Sequence, residues 1–94
     1  MKKSNVTYQE LDTILRSLDF EKSTGKNAFG FFHLRYENRA CDAIILIRSG
    51  EAEDYLYAID LHIVERTIEN RGVMSQRGFS KLLKEATSEQ KQAA

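Results

Sequence analysis

The chain has 94 residues, 41% of them hydrophobic and 30% charged, with 14 basic and 14 acidic side chains. That is room for one domain with one core, and the neutral total argues against a protein that holds nucleic acid mainly through phosphates. No apolar run approaches the roughly 20 residues that a membrane span needs, and Met1-Lys2-Lys3 has no apolar segment behind it to make a secretory signal.

The charge is unevenly placed. Residues 1–40 carry seven basic and five acidic side chains, residues 41–70 two and seven, and residues 71–94 five and two. A local basic patch and an acidic face for a basic partner are both compatible with this, beside simple solvation. The single cysteine, Cys41, has no intramolecular partner and stands in an apolar stretch, which fits a buried thiol in a reducing cytoplasm.

Residues 1–6 are expected as a flexible terminus, 7–86 as one α+β domain and 87–94 as a flexible tail. Thr7-Tyr8-Gln9-Glu10 has the form of a capping box, which starts a helix. Leu11, Ile14, Leu15 and Leu18 recur as one helical stripe, with Asp12, Arg16 and Ser17 on the other side, and the helix ends near Asp19. A short extended piece follows, and Ser23-Thr24-Gly25-Lys26-Asn27 reads as a tight polar turn. Residues 29–47 then read as a β-hairpin. Aromatic and β-branched residues crowd both halves, and Glu37-Asn38-Arg39 breaks them.

Alternation places Gly30, Phe32, Leu34 and Tyr36 on one face of the first hairpin strand, and Phe29, Phe31, His33 and Arg35 on the other. In the second strand Cys41, Ala43, Ile45 and Ile47 oppose Asp42, Ile44, Leu46 and Arg48. Both faces are apolar at the centre, so each needs a cover. Residues 51–54 form an acidic loop, and 55–57 add a short strand or lead directly into a helix. Asp60 is the expected N-cap of a second helix with Leu61, Ile63, Val64 and Ile68 on its stripe and Gly72 as its stop. Ser75 caps a third helix, with Met74 and Phe79 placed as a hydrophobic staple. The fold expected is an antiparallel three- to four-stranded sheet in the order helix-strand-strand-strand-helix-helix. The first two helices share one face, and the third helix or a second subunit takes the other.

This order resembles the HicA-like toxin family, small messenger-RNA interferases with a fold like the double-stranded-RNA-binding domain. The stretch from Tyr8 to Phe20 is similar to the family's first helix and the Leu18-Asp19-Phe20 that follows it. The stretch from Leu61 to Val73 is similar to the second helix, and that from Ser75 to Leu83 to an extension in longer members. The resemblance implies a toxin–antitoxin or RNA-interaction module, with an antitoxin or RNA as partner. Asn27 stands where the family has its histidine, and asparagine cannot shuttle a proton near neutral pH, so the implied ribonuclease chemistry would fall to His33 or His62. Lys22, Lys26, Asn27, Phe29, Phe31, Arg35 and Arg39 are the candidates for nucleic-acid binding, with rings to stack bases and cations to hold phosphate. The other reading of Phe29, Phe31, His33 and Arg35 is a dimer interface on the sheet face, which makes the chain a protein-interaction module without catalysis. Two histidines without a third ligand make no metal site, and the glycines of 25–30 fit neither phosphate-binding nor dinucleotide motifs, so no cofactor is expected.

Overall fold

The structure, a computed structural model, describes the backbone of residues 2–26 and 32–93 and the side chains of residues 2–25 and 33–87. It is an α+β arrangement of two antiparallel sheets and three helices. The first element is a strand, β1 (Lys3–Thr7), where a flexible terminus was expected. It pairs antiparallel with β5 (Tyr55–Tyr57), Lys3 opposite Tyr57 and Thr7 opposite Tyr55. Between those pairs the register is irregular, and the Ser4 hydroxyl bridges the gap by donating to the Leu56 carbonyl at 2.9 Å and accepting from the Val6 amide at 3.2 Å. Val6 and Leu56 are thereby driven into the core.

Helix α1 (Tyr8–Ser17) opens with the expected capping box. Thr7 Oγ1 accepts from the Glu10 amide, and the Glu10 carboxylate accepts from the Thr7 amide at 2.8 Å. The amides of Tyr8 and Gln9 donate to the carbonyls of Asp54 and Ala52, so the acidic loop is tied down on the start of α1. The helix ends in a Schellman motif: Asp19 N–H donates to Arg16 O, Phe20 N–H donates to Leu15 O, and Asp19 sits at φ 67°. An aspartate is a poor choice there, since its Cβ resists the left-handed conformation and its charge meets the negative end of the helix dipole. Asp19→Gly is therefore expected to stabilise the fold by about 0.5–1 kcal/mol, read as a rise of a few degrees in the thermal midpoint; an unchanged or lower midpoint would count against this account of the cap.

The three-stranded sheet runs in the order β2 (Glu21–Lys26), β3 (Phe32–Asn38), β4 (Ala43–Arg48), all antiparallel. Residues 23–26 are thus strand and not the expected turn. Their strand character comes from pairing with β3, Ser23 opposite Arg35 and Lys26 opposite Phe32. The expected turn residue Asn27 lies outside the described residues, as do Phe29, Gly30 and Phe31. The hairpin break also lies later than expected. Glu37 and Asn38 continue β3, and residues 39–42 make the turn with Asp42 at φ 54°. Asn38 fixes it: buried, it donates to the Leu18 carbonyl at 2.9 Å and accepts from the Cys41 amide at 3.2 Å. Cys41 sits in this turn, half-buried, and not within the strand.

Residues 55–57 are β5, and α2 (Ala58–Asn70) starts directly behind it. Asp60 is not the N-cap; Tyr57 holds that position, and Asp60 lies in the first helical turn, only 3% exposed. Gly72 does stop the helix, at φ 69°, with its amide donating to Glu69 O and that of Val73 to Ile68 O. Ser75 Oγ accepts from the Gly78 amide to begin α3 (Gln76–Ala93), whose backbone continues through the expected tail. Phe79 and Leu83 bury its inner side, and Met74 packs on the same core.

Helices α1 and α2 lie against one face of the three-stranded sheet. Leu11, Ile14 and Leu15, together with Val64 and Ile68, meet Leu34, Tyr36, Ala43, Ile45 and Ile47. Helix α3 packs on α1, α2 and β1. It therefore does not cover the other face, and one of the two covers expected there is excluded.

Candidate functional site

Residues opposite one another in an antiparallel ladder point to the same side, so the register sorts the sheet's two faces. On the inner face Lys22 stands beside Tyr36 and Ile45, and Thr24 beside Leu34 and Ile47. On the outer face the rows are Gly25, His33 and Arg48; Ser23, Arg35 and Leu46; and Glu21, Glu37 and Ile44. Ile44 is 43% exposed and Leu46 52%, among the largest apolar exposures in the described chain. Arg35 is held by Glu37, Nη1 to Oε1 3.3 Å. The imidazole of His33 lies across the strand over Gly25. A Cβ at that glycine would stand 3.2 Å from His33 Cε1, so Gly25 serves a close cross-strand approach and not a turn.

The candidates among the described side chains therefore do not all share one face. Lys22 is on the inner face and Arg35 on the outer. Arg39 is exposed in the turn at the far end of β3 from His33, and Lys26 lies in β2. Asn27, Phe29 and Phe31 lie outside the described residues. His62 is exposed on α2, two residues beyond the buried Asp60 and two before the buried Val64, so it points away from the sheet whose outer face carries His33.

Two polar clusters escaped the sequence reading. In the first, Asp12 receives the Tyr36 hydroxyl on Oδ1 at 2.8 Å and Arg16 Nε on Oδ2 at 2.9 Å, with Lys22 Nζ 3.9 Å away. Burial first, then the hydrogen bond and the nearby carboxylate, hold the Tyr36 phenol far above its ordinary value of 10. The signal for it was the tyrosine itself, which on an inward strand position must find an acceptor for its hydroxyl. Asp12, Lys22 and Tyr36 line a cleft of about 150 Å³ with Tyr8, Gly50 and Ala52. The Tyr8 ring fills the place of a side chain on Gly50, where a Cβ would fall 2.5 Å from the ring.

In the second cluster Arg48 Nη1 lies 3.6 Å from Asp60 Oδ2, and its guanidinium stacks 5.1 Å from the Tyr57 ring, with Lys3 Nζ at 5.2 Å from that ring. Asp60 Oδ2 accepts no hydrogen bond among the described residues. Burial and then the Asp60 carboxylate raise the Tyr8 phenol as well. Both clusters join elements of the fold: the first ties α1 to β2 and β3, the second β4 and β1 to the start of α2.

A cleft of about 220 Å³ lies between α2, α3 and β1, and it and the cleft beside Tyr36 both fall below the roughly 300–1,000 Å³ of ligand sites. Among the described residues no three His, Cys, Asp or Glu side chains gather where a metal could be held, and no helix is long and apolar enough to cross a membrane. The fold and its exposed face thus define an α+β domain with an open sheet. No protein family, curated protein or solved structure matches this chain.

Proposed function

We propose that this chain is a cytoplasmic protein-interaction module without catalytic role, which docks a protein partner on the outer face of its three-stranded sheet. The observation that carries the reading is the pair Ile44 and Leu46, 43% and 52% exposed side by side on a sheet face that no helix covers. Apolar side chains so placed gain when a partner removes them from water, at roughly 25 cal/mol per Å². In the test, Ile44→Lys combined with Leu46→Lys leaves the thermal midpoint within a few degrees, because surface changes cost little, and abolishes co-purification of the partner that the unaltered chain retains. Equal retention by both proteins would remove the reading.

A second reading has its own observation. The run α1, β2, β3, β4, β5, α2 holds the helix, three antiparallel strands and helix that the HicA-like and double-stranded-RNA-binding-domain-like resemblance implies, with β5 added before the second helix, and His33, Arg35 and Arg48 share the outer face. It makes RNA the partner, in a toxin–antitoxin or other RNA-interaction setting. Salt separates the two. RNA affinity falls steeply, with a slope of about −0.7 per phosphate contact on a log–log plot for single strands, whereas an apolar protein contact barely responds. If RNA is also cut, His33→Ala with His62→Ala must stop the cutting for either histidine to have a catalytic part.

A further inference from the structure

Strand β4 is the edge of its sheet, since the order β2-β3-β4 leaves its second side without a strand partner among the described residues. Edge strands that stay single are protected by charge, proline, a bulge or brevity. β4 has no proline, carries its one charge at the last residue, Arg48, and pairs with β3 in unbroken register from Ala43 to Arg48. Such an edge is a template for another strand.

The side chains around it point the same way. Among the described residues the large apolar side chains that stand exposed include Ile44 and Leu46 of β4 and Ile59 and Ile63 of α2, the helix that packs on β4. Ile44 and Leu46 lie on the outer face of β4. Ile59 and Ile63 lie on α2, which packs over β4 from the inner face. Leu61 and Glu65 of that helix turn toward α3, lining a cavity with Ser80, Leu83 and Lys84. Two residues along an α-helix are nearly opposite around its axis, so Ile59 and Ile63 project away from α3 and past the free edge.

We propose that β4 pairs antiparallel with β4 of a second copy about a two-fold axis through Ile45, giving a six-stranded sheet. The proposal rests on the interaction-module reading above and narrows one of its partners to the chain itself. Charge selects both direction and register. Asp42 stands exposed at one end of β4 and Arg48, partly exposed, at the other. Centred on Ile45, antiparallel pairing sets each Ile44 opposite the other copy's Leu46 and brings each Asp42, in the turn just before the strand, to the end where the other copy's Arg48 stands. A parallel pairing would set Asp42 beside Asp42, and an antiparallel shift to a centre at Ile44 or Leu46 separates the opposite charges. On the inner side the two α2 helices come alongside each other, Ile59 and Ile63 against their symmetry mates, as an isologous interface requires. On the outer side the two apolar pairs merge into one platform across the axis.

The test uses the full chain. Sedimentation or light scattering is expected to give twice the 10.8 kDa chain mass, and Asp42→Lys is expected to weaken the dimer about tenfold, as two attractive cross-strand pairs become repulsive. Register is read by cross-linking on a Cys41→Ser background. Ile44→Cys and Leu46→Cys chains, mixed and oxidised, give a covalent heterodimer in higher yield than either chain alone. A monomer at tens of micromolar, or a dimer without preferential 44-to-46 cross-linking, overturns the proposal. A monomer that still captures a partner through Ile44 and Leu46 defeats the dimer and leaves the interaction reading standing; a correctly cross-linked dimer whose Ile44→Lys, Leu46→Lys form loses no other partner supports the dimer and removes that reading.

Discussion

Phe79→Ala is expected to cost about 3–5 kcal/mol of stability. The ring has no exposed surface and lies where α3 meets α1 and α2, so its removal leaves a cavity in the one core the chain possesses. For a chain of 94 residues the whole unfolding free energy is roughly 5–14 kcal/mol, so this single change consumes a large part of it. The thermal midpoint should fall by on the order of 15–30 °C, and an urea titration should show the same loss at an unchanged slope. A drop smaller than about 5 °C would mean that α3 is an appendage and that the fold is complete without it.

The second large effect comes with alkali. The phenols of Tyr36 and Tyr8 are both raised above 10 in the folded chain, by burial first and then by the carboxylates near them, Asp12 for Tyr36 and Asp60 for Tyr8. Once the pH passes 10 the unfolded chain sheds these protons while the folded chain keeps them. The unfolded state then binds fewer protons, and stability falls as pH rises, by up to about 1.4 kcal/mol per pH unit for each tyrosine. The contribution is whole below pH 10 and is lost as the pH climbs toward the folded-state values. Chemical denaturation at pH 8, 10 and 11 should show this decline. Tyr36→Phe should cost about 1 kcal/mol at pH 8 through the lost hydrogen bond and should decline less steeply above 10. The two proteins differ only at this phenol, so the difference in slope belongs to Tyr36. Equal slopes would mean that the phenol ionises in place without cost.

What could be read from the residues was what is decided locally. The capping box at Thr7, the stop at Gly72 and the cap at Ser75 each need only a few neighbours in sequence, and all three stand where the pattern put them. The alternation of β4 was equally plain, since inward and outward residues differ in character. The strand nature of residues 23–26 was hidden because Ser23, Thr24 and Gly25 carry no apolar signal of their own and take their conformation from β3. Reading them as a turn also concealed that Lys22 and Arg35, two of the expected phosphate-holding cations, point to opposite faces. Asp60 misled for a related reason. An aspartate near a helix start is ordinarily a cap, and only the fold brings Arg48 within reach of its carboxylate. The open outer face was foreseen as apolar; which part of the chain would cover it depended on the packing of α3, which no spacing encodes.

The β1–β5 ribbon has a consequence for how the molecule comes together on the ribosome. Val6 and Leu56 must meet to close the core, yet fifty residues of sequence separate them. A nascent chain can wind α1 early, since its cap is local, but the floor beneath that helix stays open until the segment holding Leu56 has emerged, and long-range closure of this kind is slow. During that interval Leu11, Leu15 and the Ile-rich β4 are on display together, which makes the half-made protein the form most in need of a chaperone.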